Sequence, residues 1–81
     1  MSHERSLAIL LELSGDILGV ELEPSDHFFE RGGNSLQVLR LVTAMERDHG
    51  MRVELQHLLN SPNFADLATH CTFDLGEAGN S

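Results

Sequence analysis

The feature that most constrains this chain is the abrupt change of pattern at Gly32-Gly33-Asn34-Ser35. Two adjacent glycines interrupt regular structure, and apolar residues at helical spacing begin immediately after the serine. The serine hydroxyl therefore lies where a loop meets the N-terminus of a helix, the end of a helix that favours a phosphate. We predict that Ser35 is a covalent attachment point rather than a catalytic residue.

The spacing of apolar residues predicts an all-α fold, a small four-helix bundle with three main helices and one short helix. The helices are expected at residues 7–18, 35–49, 55–59 and 61–71, with the second helix at the centre. Ser61 and Pro62 are typical of an N-cap and a first helical residue, and they predict the start of the last helix. A long loop over residues 19–33 joins the first two helices.

The apolar residues of these segments predict the core. At least one of Phe28 and Phe29 is expected to enter it, because a long loop needs an anchor. A broad apolar surface of the second helix, and the leucines of the short third helix, are expected to face inward: Leu36, Val38, Leu39, Leu41, Val42 and Met45, then Leu55, Leu58 and Leu59.

Charge and length limit the class of protein. The 81 residues suffice for one domain, and the formal net charge is −8, with five arginines and no lysine. Such a balance argues against nucleic acid and against an anionic membrane surface as partners. A basic patch on a protein partner is one expected complement, and solubility alone explains the acidity equally well.

The single cysteine, Cys71, excludes an intramolecular disulfide and favours a reducing compartment. Neither a signal peptide nor a membrane span is evident, and we expect a cytoplasmic monomer. Residues 1–73 are predicted to form the domain, and the polar residues 74–81 a disordered tail that begins to fray at Thr72. The initial Met and this tail suit a free-standing protein, and equally a domain excised from a longer chain.

Other chemistries fit the sequence poorly. The segment Gly33-Asn34-Ser35-Leu36-Gln37 lacks the second glycine of a hydrolase nucleophile elbow, and no strand precedes it. The five histidines have no metal-ligand spacing and are expected to be scattered on the surface. The two glycines match no nucleotide-binding pattern. Cys71 completes an apolar stripe and is expected to be buried and structural.

A bland interpretation of Ser35 is that it only caps the helix, as serine often does. Asn34 is an equally good cap, and with Asn34 as the cap the Ser35 side chain would be left free. From Gly-Gly-Asn-Ser-Leu alone, the capping role is favoured.

The longer stretch from Asp26 to Leu36 resembles the signature of phosphopantetheine-dependent carrier proteins. In that family an acidic residue, a Phe pair or similar, a Gly-Gly turn and Ser-Leu follow one another in this order. Residues 7–18 and 61–68 are similar to the first and closing helices of the family, so only the tail after Cys71 lies outside the resemblance.

The resemblance implies a four-helix carrier domain that is not itself an enzyme. A phosphopantetheinyl transferase would use coenzyme A and magnesium to attach 4′-phosphopantetheine to Ser35. The thiol of that group would carry acyl or aminoacyl thioesters from an adenylation or other loading enzyme to downstream condensing or tailoring enzymes. Asn34, Leu36 and Arg40 adjoin Ser35 and are expected to contact these partners.

The Gly-Gly turn resembles the peptidyl carriers of nonribosomal peptide assembly more than fatty-acid carriers, which usually have Asp-Ser-Leu. Asn34 departs from both patterns. An acyl carrier of polyketide or fatty-acid type remains an alternative, as does a non-covalent helical adaptor that docks through Phe28, Phe29 and the second helix. A small ester hydrolase is the third hypothesis.

Overall fold

The computed structural model describes residues 2–73, which form four helices and one pair of very short strands. In chain order the elements are α1 (Ser2–Leu18), α2 (Ser35–His49), β1 (Met51–Arg52), α3 (Leu55–Asn60), α4 (Phe64–Ala68) and β2 (Thr72–Phe73). The predicted helical fold class and the long connection between the first two helices are confirmed. The tail predicted over residues 74–81 lies outside the described residues.

Helix α1 begins at Ser2, earlier than the expected start at residue 7, and it continues unbroken through Ser14 and Gly15. It ends in a left-handed C-terminal cap, in which the amides of Gly19 and Val20 both donate to the Gly15 carbonyl at 2.7 and 3.2 Å. Gly19 has the left-handed φ of 72° that such a cap requires. The helix is closely packed at Ser14 and Gly15: Ser14 is buried, and a side chain at Gly15 would lie 2.9 Å from the Val20 carbonyl oxygen.

The centre of the bundle is α1 rather than α2, which corrects one expectation. Helix α1 packs against both α2 and α4, whereas the other extensive contact of α2 is with β1. Only one side of α2 is buried, through Val38, Leu41 and Met45, while Leu36 and Leu39 are exposed. The α2 stripe is narrower than predicted because α2 has one large helical neighbour instead of several.

The loop between α1 and α2 is anchored twice. The Phe28 side chain lies in the core, as expected of at least one of the two phenylalanines. The carbonyls of Asp26 and Pro24 accept hydrogen bonds from the Phe64 and Ala65 amides, at 2.9 and 3.0 Å. These amides open α4 and have no partner within that helix, so the loop supplies acceptors that the helix lacks.

The start of α4 also differs from expectation. Asn63 is the N-cap, and its side chain accepts a hydrogen bond from the Asp66 amide at 2.8 Å. Ser61, the expected cap, instead ends α3 and is buried. Helix α4 is consequently only five residues long, and Cys71 follows it while remaining buried as predicted.

The expected fraying from Thr72 is wrong for the first two residues of that segment. Thr72 and Phe73 pair antiparallel with Arg52 and Met51. The guanidinium of Arg5 also lies over the Phe73 ring, 5.2 Å from its centroid. These contacts hold the end of the domain against α1 and the segment after α2.

Candidate functional site

The turn before α2 is built around the Phe28 ring. The Gly33 amide donates to the Phe28 carbonyl at 3.0 Å, and a side chain at Gly33 would collide with the Phe28 ring. Gly32 has a φ of 107°, a conformation that residues with a side chain rarely adopt. Both positions therefore require glycine: Gly32 because of its backbone conformation, and Gly33 because the Phe28 ring leaves no space for a side chain.

Asn34, not Ser35, caps α2. The Asn34 side chain accepts a hydrogen bond from the Gln37 amide at 3.0 Å, and the Gln37 side chain accepts one from the Asn34 amide at 3.1 Å. This reciprocal capping box satisfies two donors at the helix start. Ser35 is then the first helical residue. Its side chain is exposed, and its hydroxyl forms no hydrogen bond within residues 2–73.

The electrostatic setting of Ser35 favours an anion. Ser35 begins a 15-residue helix whose first turn contains no acidic residue, so no carboxylate there opposes the positive end of the helix dipole. Arg40 is exposed on the same helix, and Arg31 lies in the preceding turn, 4.0 Å from the Asp26 carboxylate. The helix start thus suits a phosphodiester.

Beside Ser35 lies a shallow apolar cleft, here called the Ser35 cleft, of about 270 Å³. Its lining residues are Phe29, Ser35, Val38, Leu39, Leu55 and Leu59. The leucines that line it are exposed by 52–61%: Leu39, Leu55 and Leu59. Apolar side chains this exposed, clustered around one hydroxyl, are typical of a contact surface.

Sequence reasoning missed this cleft. Leu55 and Leu59 were expected to face the core, and of the three leucines in α3 only Leu58 does. No local signal in the sequence indicates this exposure, because Leu55, Leu58 and Leu59 stand at i, i+3 and i+4, a spacing that predicts one shared buried face. Of the predicted site residues, Asn34, Ser35, Leu36 and Arg40 are all exposed at the start of α2.

The competing chemistries find no support in the described part of the chain. Neither a histidine nor a carboxylate lines the Ser35 cleft, so the partners of a hydrolase triad are absent there. No group of three metal-ligating side chains occurs within residues 2–73. Nor does any helix in this range have the length and hydropathy needed to cross a bilayer.

Two further residue types can be compared with expectation. The histidines are not all scattered, since the rings of His57 and His70 stack in parallel with centroids 4.0 Å apart. Cys71 is buried, its Sγ donates to the Leu67 carbonyl at 3.6 Å, and burial raises the pKa of its thiol to about 11. Cys71 is therefore unsuited to thiolate chemistry near neutral pH.

Comparison with known proteins gives one consistent result. A family model described as "Phosphopantetheine attachment site" matches residues 8–71. Enniatin synthase of Fusarium equiseti is 39% identical over 59 residues, which are 73% of this chain and 2% of that protein. Tyrocidine synthase 3 of Brevibacillus parabrevis is 39% identical over 66 residues, 80% of this chain and 1% of that protein.

A solved structure described as "Non Ribosomal PCP domain" superposes with a TM-score of 0.73 and 31% sequence identity. The match covers 83% of this chain and 87% of the other. This chain therefore matches most of that domain, while it spans only about one fiftieth or less of the curated relatives.

Proposed function

Because this chain belongs to the phosphopantetheine attachment site family, we propose that Ser35 is the residue to which its 4′-phosphopantetheine is attached. The family is defined by that covalently bound group, so the cofactor follows from membership. The observation that carries the assignment to Ser35 is its exposed hydroxyl at the first position of α2, outside the cap that Asn34 provides.

The residues around Ser35 fit this group. The N-terminus of α2 would stabilise the phosphodiester by roughly 0.3–1 kcal/mol through the helix dipole. The attached group supplies a terminal thiol that forms thioesters, a function that the buried Cys71 cannot take over. The chain itself is a non-catalytic carrier domain: it holds the attachment point rigid and exposes it, and other protein domains perform the reactions.

We propose that the carrier is of the peptidyl type. Its relatives include peptide synthetases, and the structural match is a non-ribosomal PCP domain, which supports this type over the fatty-acid and polyketide alternatives. We propose that the cargo is an aminoacyl or peptidyl group. The non-covalent adaptor and the hydrolase lose their support, since the family is defined by a covalent attachment.

A carrier domain works with partner catalytic domains. The specific partners we propose are a phosphopantetheinyl transferase, an adenylation or other loading domain, and downstream condensing or tailoring domains. We further propose that they contact Asn34, Leu36 and Arg40, which surround Ser35 on the exposed side of α2. The cytoplasmic location and the monomeric state remain predictions.

The first experiment tests the attachment. The purified chain is incubated with coenzyme A, Mg²⁺ and a broad-specificity phosphopantetheinyl transferase, and its intact mass is measured. We expect the gain of one phosphopantetheine in the native chain and none in Ser35→Ala. A gain that persists in Ser35→Ala, or no gain in the native chain, would contradict the proposal; circular dichroism of Ser35→Ala checks that it remains folded.

The second experiment tests the partner surface by the kinetics of the same modification. We expect Leu36→Gln to lower kcat/KM about tenfold, because a leucine buried at an interface contributes roughly 1.5–3 kcal/mol. Arg40→Gln should chiefly reduce the dependence of the rate on salt concentration. Stability should change little, since both side chains are exposed.

Val20→Gln is the matched control for this surface. Val20 is also an exposed apolar residue, but it lines a different groove, beside the end of α1. The substitution makes a comparable polar change and should leave the modification rate unaltered. Equal losses in Leu36→Gln and Val20→Gln would show that general hydrophobicity, rather than the start of α2, governs recognition.

A further inference from the structure

His27 contacts Phe29, a residue that lines the Ser35 cleft. Its Nδ1 accepts a hydrogen bond from the Phe29 amide at 3.1 Å, and the bond is partly buried. The His27 and Phe29 rings also lie against each other, with centroids 5.6 Å apart and planes inclined by 34°. One side chain thus constrains both the backbone and the ring of Phe29.

Phe29 is held on a second side by the core. Its ring meets that of Phe28 edge to face, with centroids 5.9 Å apart. The backbone of His27 is itself tied down, because its carbonyl accepts from the Arg31 amide at 3.1 Å. Phe28 and His27 therefore flank the half-buried Phe29 ring, which lines the cleft beside Ser35.

We propose that His27 is a positioning residue that fixes Phe29 as the wall of the Ser35 cleft. The inference rests on the proposed function of Ser35 and extends it to the recognition of that serine. His27 does not line the cleft, and it acts only through Phe29. Its loss should therefore weaken binding of the modifying enzyme without slowing the chemistry at the Ser35 hydroxyl.

Two variants divide the contact into its parts. His27→Ala removes both the acceptor and the ring. His27→Asn keeps an acceptor, because Asn Oδ1 occupies the place of Nδ1 and readily bonds the amide two residues on, yet it cannot be protonated near neutral pH. We measure KM and kcat for modification by coenzyme A, Mg²⁺ and the transferase for the native chain and both variants.

We expect His27→Ala to raise the KM for the carrier about fivefold with kcat little changed, as the loss of one hydrogen bond predicts. His27→Asn should restore most of this loss. A native KM for His27→Ala, or a KM of His27→Asn as high as that of His27→Ala, would overturn the proposal.

A second measurement does not depend on modification. The amide proton of Phe29, observed by NMR in the unmodified chain, should lose exchange protection in His27→Ala but not in His27→Asn. If the native chain is not modified at all, the proposed function fails, and this measurement still tests the contact. If the chain is modified normally while the Phe29 amide proton keeps its exchange protection in His27→Ala, only the positioning role is refuted.

Discussion

At the start of α2, Asn34 caps the helix and the neighbouring Ser35 presents an exposed hydroxyl. Asn34 accepts the Gln37 amide and so takes the capping role that serine often fills. Ser35, one residue further on, has helical backbone conformation and an exposed hydroxyl. An N-cap side chain folds back onto the helix, and a cap at position 35 would have occupied the hydroxyl. The shift by a single residue is what leaves this oxygen accessible.

At the same scale, Cys71 gives stability a defined dependence on pH. Its pKa is raised from 9.0 to about 11 by burial, so the unfolded chain loses this proton first as the pH rises. Between these pH values the unfolded state binds fewer protons, and the free energy of unfolding must fall. The chain contains neither lysine nor tyrosine, so no other side chain titrates in this interval.

We therefore expect urea unfolding to show a loss of roughly 1–2 kcal/mol in the free energy of unfolding between about pH 9 and pH 11. The stability present below pH 9 is lost as the unfolded thiol ionises. Cys71→Ala removes the titrating group and should be less stable at pH 8 but independent of pH over this interval. An equal slope in Cys71→Ala would assign the effect to another group.

At the scale of elements, the two helices beside Ser35 both leave leucines unburied. Helix α2 exposes Leu36 and Leu39, and α3 exposes Leu55 and Leu59 at i and i+4. Helix α2 packs on the bundle through Val38 and α3 through Leu58, residues that neighbour the exposed leucines on each helix. Leu39, Leu55 and Leu59 meet at the Ser35 cleft and leave apolar surface open there.

The capping box makes the stability of α2 sensitive to Asn34. Asn34→Ala removes the acceptor of the Gln37 amide, and we expect a loss of about 1 kcal/mol, or about 4–8 °C in Tm for a domain of this size. Asn34→Asp keeps an acceptor and places a negative charge at the helix N-terminus, so it should retain the native Tm. Thermal unfolding followed by circular dichroism measures both variants.

If the capping box stabilises α2, the Tm of Asn34→Ala must be lower than that of Asn34→Asp. If Asn34→Ala matched the native Tm, the box would contribute nothing measurable. If Asn34→Asp fell as far as Asn34→Ala, the loss would reflect the amide group of Asn34 rather than its acceptor oxygen.

At the scale of the whole molecule, α1 organises the bundle and charge is unevenly distributed. The small buried residues Ser6 and Ser14 lie in α1, which packs on both α2 and α4. The acidic residues are concentrated in α1 and the following loop, whereas in α2 the arginines Arg40 and Arg47 are balanced by two acids. The helix that begins at Ser35 is therefore close to neutral despite a net charge of −8.

This distribution refines the expectation that a basic partner surface complements the chain. Long-range attraction of a basic partner would arise mainly from α1 and the loop, while the proposed contact at α2 would depend on Leu36 and Arg40. Net charge is a property of the composition, but the sign of the charge beside a given residue depends on which elements fold next to it.

Much of this molecule was predictable from local pattern. The bounds of α2, its glycine stop at Gly50, the burial of one of the two loop phenylalanines and the order of the four helices along the chain all follow from short-range rules. The placement of Ser35 at a loop–helix junction also follows from such rules, because the Gly-Gly turn and the first apolar residues of the helical pattern lie within a few residues of it.

Other features depended on contacts between distant parts of the chain. Which leucines of α2 and α3 remain exposed, the pairing of Thr72 with Arg52, and the choice of Asn63 over Ser61 as a cap could not be read locally. The spacing of apolar residues along a helix specifies which of them share a face. It does not specify how much of that face a neighbouring element will bury. The sequence by itself determined where the hydroxyl of Ser35 stands, and only the packing of α1, α2 and α3 decided that an apolar cleft lies open beside it.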